Sequence, residues 1–159
     1  MLHHENANKC FTKAGLAAGT TTTLTSANAM QCSIGNKSIL KAAASNEATP
    51  TTDALTGAAF LPIAAGYGGV FTVCRDAAGA LKVIQGQVVA LDASGQFIHA
   101  PWFGPQKNDL APYGYILVKC ATGATTWTFG SSNLSGPPAN VTITYVDCAN
   151  GMPPRPQIA

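Results

Sequence analysis

A chain of 159 residues has room for one domain with a real core, and only 10% of it is charged, well under the usual quarter, while 47% is apolar. Disordered chains are rich in charge, so the composition argues against disorder along the whole length. The net charge is +2, with nine scattered Lys and Arg residues, and no basic run provides a nucleic-acid footprint.

The N-terminus, "MLHHENANKC", lacks a basic stretch followed by an apolar run, so no signal peptide is expected; His3 and His4 read as solvated rather than as a metal pair. The first third is dominated by Ala, Thr, Ser and Asn. Thr20–Ser26 has the β-branched content of a strand. Ala29–Ile34 and Ser38–Ala43 flank a "GNK" turn at Gly35–Lys37, although the second also reads as one turn of helix. "SNEATPTTDALTGAAFLP" follows as a long connection punctuated by Pro50 and Pro62, the kind that packs on a partner or carries function. The uncharged run Ala54–Cys74 has the length of a bilayer span, but Pro62 and its glycines argue against a membrane helix.

From Gly69 onward the β signal is clear. "VFTVCRD" (70–76), "ALKVIQG" (80–86), "QVVALD" (87–92), "QFIHA" (96–100), "YGYILVKC" (113–120), "TTWTFG" (125–130) and "VTITYVDC" (141–148) are short β-rich segments between turn residues. Val141, Ile143 and Tyr145 share one face of the last, and Trp127 and Phe129 share a face two segments earlier. With no sustained 3.6-residue period, the expected fold is mainly β: an antiparallel sandwich or barrel over residues 63–148. An extended, low-complexity N-terminal arm and long connection (1–62), partly β and placed to pack on neighbours, and an extended Pro-rich tail (149–159) complete the chain.

Cys10, Cys32, Cys74, Cys120 and Cys148 are an odd set with no C-x-x-C pair, which reads as reduced, mostly buried thiols. Asp92, Ser94 and His99 supply the residue types of a hydrolytic triad within eight positions. "CRDAAGALKVI" and "ALDASGQFIHA" share an Asp-Ala-small-Gly core, however, and the earlier copy has Ala78 and Val83 where the later has Ser94 and His99. A recurrent Asp…Gly pair without nucleophile or base is turn chemistry, with no G-x-S-x-G elbow to support catalysis. The seven carboxylates are spread singly, and no phosphate-binding glycine loop occurs. No catalytic, cofactor-binding or metal site is expected. The informative stretch is "APWFGPQKNDLAPYGY" (100–115), where prolines stiffen a loop carrying Trp102, Phe103, Tyr113 and Tyr115. Trp102, Phe103, Pro105, Tyr113 and Tyr115 are the interface candidates, with closure of one end of the fold as the other role open to these aromatics.

"ATPTTDALTGAAFLP" (48–62), "VIQGQVVALDASGQFIHAPWFGP" (83–105), "APYGYILVKC" (111–120) and "TTWTFGSSNLSG" (125–136) resemble a family of small tailed-bacteriophage virion proteins encoded near the major capsid protein. The likeness runs over residues 15–147. It implies a virion structural protein, most naturally a capsid decoration (cement) protein whose partner is the major capsid protein lattice. The implied assembly is a homo-oligomer, trimeric for preference, on the capsid surface, formed in a reducing host cytoplasm without nucleic acid or membrane. The alternatives are another virion part (head-fibre base, tail tube or adaptor) and a small carbohydrate- or receptor-binding module that stacks sugars on Trp102, Tyr113 and Trp127.

Overall fold

The computed structural model describes residues 8–158, so the histidine pair at positions 3 and 4 lies outside the described residues. Among the described residues there is no helix, and every paired strand is antiparallel. The first six strands are short: β1 (Lys9–Cys10), β2 (Leu16–Ala18), β3 (Leu24–Ser26), β4 (Met30–Ile34), β5 (Lys37–Lys41) and β6 (Ala44–Glu47). They form two three-stranded sheets, ordered β1-β4-β5 and β2-β3-β6. Both sides of the "GNK" turn are strands, and the helix alternative for 38–43 is not realised.

Four longer strands, β7 (Tyr67–Asp76), β8 (Leu81–Ala90), β9 (Leu110–Cys120) and β10 (Val141–Asp147), make the main sheet, ordered β10-β9-β7-β8. The β7–β8 turn is built as the repeat in the sequence requires. Asp76 Oδ1 accepts the backbone N–H groups of Ala78 and Ala80, both at 2.9 Å, and Gly79 takes the left-handed φ of 79° that returns the chain to the strand. The second copy repeats it: Asp92 Oδ1 accepts from Ser94 at 2.8 Å and Gln96 at 2.9 Å, and Gly95 has φ 74°. Segments 80–86 and 87–92, which read as two strands, are largely one. Gly86 and Gln87 together face Val70 in a β-bulge, so the glycine marks a kink and not an end. "QFIHA" and "TTWTFG" each contribute a single bridge, Leu91 to Phe97 and Ile63 to Trp127.

One face of the main sheet carries Phe71, Val73, Tyr113, Ile116 and Val118. Leu16, Leu24, Met30, Cys32 and Ile34 bury against the same cluster. Burial is worth roughly 1.5–3 kcal/mol for each large apolar side chain. From Asn8 onward the expected partly β arm and connection is folded as short strands onto its own chain. The long connection does likewise: Phe60 packs edge-on to Phe71 and Phe129 at 6.0 and 5.1 Å, and Trp127 is buried beside both Phe71 and Phe129. A buried clamp ties strands to sheet, in which Arg75 of β7 donates bidentately to Glu47 of β6 at 2.6 and 2.7 Å.

The cysteines correct a second expectation. Cys10 and Cys32 stand opposite one another in the β1–β4 register and are joined by a disulfide. A separation of 22 residues gave no hint that register would make them neighbours. Cys74, Cys120 and Cys148 are buried thiols.

Candidate interaction surface

The other face of the main sheet is covered by a loop and the C-terminal segment. Val70, Val89, Phe97, Tyr115, Leu117 and Cys148 form a second cluster there, and Phe103, Met152 and Ile158 pack against it from outside. The interface candidates fall at different depths of this layer. Tyr113 is fully buried in the core, and Tyr115 is 1% exposed, with its hydroxyl facing the C-terminal segment that covers it. The expected loop over 100–115 ends at Asp109, because β9 begins at Leu110. Within β9, Tyr113 is the extra residue opposite Val73 and Cys74. That bulge breaks the alternation, sending Tyr113 into the first core and Tyr115 into the second. The sugar-stacking alternative loses Tyr113 and Trp127 by the same burial.

Trp102 and Pro105 remain at the surface, with Trp102 54% exposed, and Phe103 is half-buried beneath them. Phe103 meets Tyr115 edge-on at 5.1 Å, so Tyr115, Phe103 and Trp102 step outward from core to solvent. The loop is held tightly against β8. The Gln87 N–H donates to the Trp102 carbonyl at 2.8 Å, and the Trp102 N–H donates to Gln87 Oε1 at 3.1 Å. Approach this close needs glycine: a methyl group at Gly86 would stand 2.5 Å from the Trp102 carbonyl oxygen. Leu61, 68% exposed, is fixed two positions along the same strand, since its N–H donates to Gln85 Oε1 and its carbonyl accepts from Gln85 Nε2. Leu61 and Trp102 thus stand at one edge of the sheet, and a shallow apolar cleft of about 350 Å³ lined by Ala58, Ala59, Leu61, Gly86 and Val88 runs beside them.

Arg155 is the partner that sequence reasoning missed. Its guanidinium lies 3.7 Å from the centre of the Trp102 ring. The available signal was a lone arginine among prolines downstream of an otherwise unpartnered tryptophan. Next to it, Gln157 donates its N–H to the Tyr115 hydroxyl at 3.0 Å. Burial raises the pKa of that hydroxyl, with the Gln157 bond opposing the rise. Between loop and tail lies a groove of about 440 Å³ whose walls include Phe103, Pro105, Pro112, Met152 and Pro153, with Lys9 at its rim.

The triad residues are not assembled into a site. The Asp92 Oδ1 oxygen is taken by turn N–H groups, and Ser94 and His99 are exposed. His99 Nδ1 lies 3.3 Å from the carbonyl of its own neighbour Ala100. Elsewhere the titratable groups are shifted by burial in the cores: the Cys74 thiol and the Tyr113 and Tyr145 hydroxyls are pushed up to about 12, and the Cys148 thiol to about 11. Compared with protein-family models, with curated proteins and with solved structures, the chain matches none.

Proposed function

We propose that this is a virion structural protein that decorates an assembled capsid, with the edge carrying Trp102, Phe103, Pro105 and Leu61 as its contact with the major capsid protein. The resemblance of residues 48–62, 83–105, 111–120 and 125–136 to small tailed-phage virion proteins supplies the class. The observation that carries the placement is Trp102, which is exposed on a loop that bonds to Gln87, is seated by Gly86 and is stiffened by Pro101 and Pro105. A large aromatic on a preorganised loop loses little entropy on docking, and such residues dominate interface energetics. In this reading the body is a sandwich-like pair of layers, and three copies associate around a symmetry axis of the shell.

The test is to mix purified protein with heads of the same virus lacking it and to measure co-sedimentation. Saturable binding at one copy per lattice point is expected, and Trp102→Ala should weaken it about thirtyfold, the effect of losing about 2 kcal/mol. Absence of binding at saturating concentration overturns the reading. Binding that is indifferent to Trp102→Ala overturns the placement of the contact.

A further inference from the structure

Residues Met152–Ile158 lie over the outer face of the main sheet as a segment outside any strand, bent at Pro154 and Arg155. They hold on by chemistry that any copy of the segment could supply. Met152 and Ile158 pack into the second cluster, Pro156 is buried, Arg155 stacks on Trp102, and Gln157 bonds to Tyr115. The aromatic steps Tyr115, Phe103 and Trp102 form a shelf of the kind that receives proline-rich segments, whose preformed extended backbone loses little entropy on binding.

The segment also begins at a hinge. The Asn150 N–H donates to the Cys10 carbonyl at 2.7 Å, which anchors the chain up to that point. Asn150 and Gly151 then take left-handed φ values of 63° and 118°, and the space around Gly151 is open. Straightened, the seven residues 152–158 span about 22 Å at ~3.1 Å per residue.

We propose that the Tyr115–Phe103–Trp102 shelf is a recognition site for a proline- and arginine-bearing segment, and that in the associated protein its occupant is the tail of a second copy, exchanged about the Asn150–Gly151 hinge. The contacts made in cis and in trans are the same, so exchange costs only the hinge rearrangement and the entropy of association, the condition under which swapping is favoured as concentration rises. The inference does not depend on the capsid reading, and its test uses the purified protein alone.

The experiment uses complementary halves. A chain ending at Gly151 has a vacant shelf and no tail; a full-length Trp102→Ala/Phe103→Ala variant has a tail and a damaged shelf. Titrating the first with the peptide MPPRPQI, read by Trp102 emission, should give saturable binding, weakened about fivefold when the peptide carries Arg155→Ala. Mixing the two proteins should give a one-to-one heterodimer in sizing, and neither should dimerise alone through this route. Should the shortened chain lack a cooperative unfolding transition, full-length Arg155→Ala/Ile158→Asp, whose tail is loosened but still present, serves as the acceptor. No peptide binding by a folded acceptor overturns the recognition site. Peptide binding without a heterodimer overturns exchange between copies.

Discussion

Replacing Glu47 by Gln isolates Arg75, a buried charge that joins the short strands to the main sheet. The Arg75 side chain is 1% exposed and that of Glu47 is 21% exposed, with the bidentate bonds at 2.6 and 2.7 Å. Burial on its own would favour a neutral guanidine, but the Glu47 carboxylate, together with Tyr113 and Asp76, outweighs it and holds Arg75 above its ordinary pKa. The guanidinium therefore stays charged at every accessible pH, and Glu47→Gln removes the carboxylate bonded to it, leaving only the more distant Asp76 as a counter-charge. Removing one member of a buried pair costs about 3–5 kcal/mol. Arg75 retains the Gly79 carbonyl and Ser26 Oγ, each at 3.3 Å, and the Tyr113 ring face at 5.2 Å. The partly wet carboxylate screens the pair as well. Both effects place the cost at the lower end, about 3 kcal/mol, which in a chain of this size lowers Tm by roughly 6–12 °C. Urea unfolding followed by circular dichroism should show the midpoint fall, while Arg75→Met/Glu47→Leu recovers most of the loss because no charge is then stranded. A cost below about 1 kcal/mol for Glu47→Gln, or a double variant as unstable as the sum of the singles, would refute this account of the clamp.

The other perturbations read the cysteines, the alkaline limit and the loop seat. Cys74, Cys120 and Cys148 should resist a disulfide reagent such as DTNB in the native state and react on denaturation, since burial raises all three thiol pKa values. Reduction should release two further thiols and lower stability by about 3 kcal/mol, the chain-entropy value for a loop of this length. Because Cys10 holds Asn150, reduction should also shift the emission of Trp102, isolated by comparison with Trp102→Phe; an unmoved spectrum would uncouple disulfide from tail. Raised acid pKa values stabilise the fold fully below the unfolded values, 9.0 for Cys74 and Cys148 and 10.0 for Tyr113 and Tyr145. That contribution is lost as pH climbs through the folded values, so unfolding midpoints should be level up to about pH 9 and fall between 9 and 12. Gly86→Ala should displace the Trp102 loop and crowd the buried Val70, whose Cγ1 would stand 2.6 Å from the added methyl, seen as a change in Trp102 quenching by acrylamide with Tm lowered by roughly 2–12 °C.

Local chemistry was legible in the sequence, and register was not. Asp76 and Asp92 with Gly79 and Gly95 specify their turns by themselves, because every bond involved closes within four residues. The alternation of Val141, Ile143 and Tyr145 likewise names the inner face of β10 without reference to its neighbours. Tyr113 and Tyr115 are different. Their separation onto opposite faces follows from one extra residue against Val73 and Cys74, a fact about pairing between segments forty positions apart. The Cys10–Cys32 bond depends on register in the same way. Weak apolar content made residues 8–47 look like an arm. Yet Leu16, Leu24, Met30 and Ile34 are enough to hold them once the main sheet offers a face, and no local pattern reveals that face.

The two ends of the described chain are joined by one backbone bond, from the Asn150 N–H to the Cys10 carbonyl, which ties the contact surface to the covalent link. Cys10 is bonded to Cys32 in β4, and the Cys10 carbonyl accepts from Asn150, immediately before the hinge. The tail then runs to Tyr115, and its arginine caps the exposed ring of Trp102. Trp102 is in turn bonded to Gln87 at the bulge where Gly86 admits its backbone. Each link is short and directional, but the last, Arg155 on Trp102, is an exposed cation–π contact of about 0.5–1 kcal/mol. That is too weak to hide the ring from a partner and strong enough to orient it. A binding surface assembled this way has a rigid base and an adjustable cover. The base is set by the β8 bulge and the disulfide, and the cover by seven residues that any approaching aromatic- or proline-binding surface must displace or share.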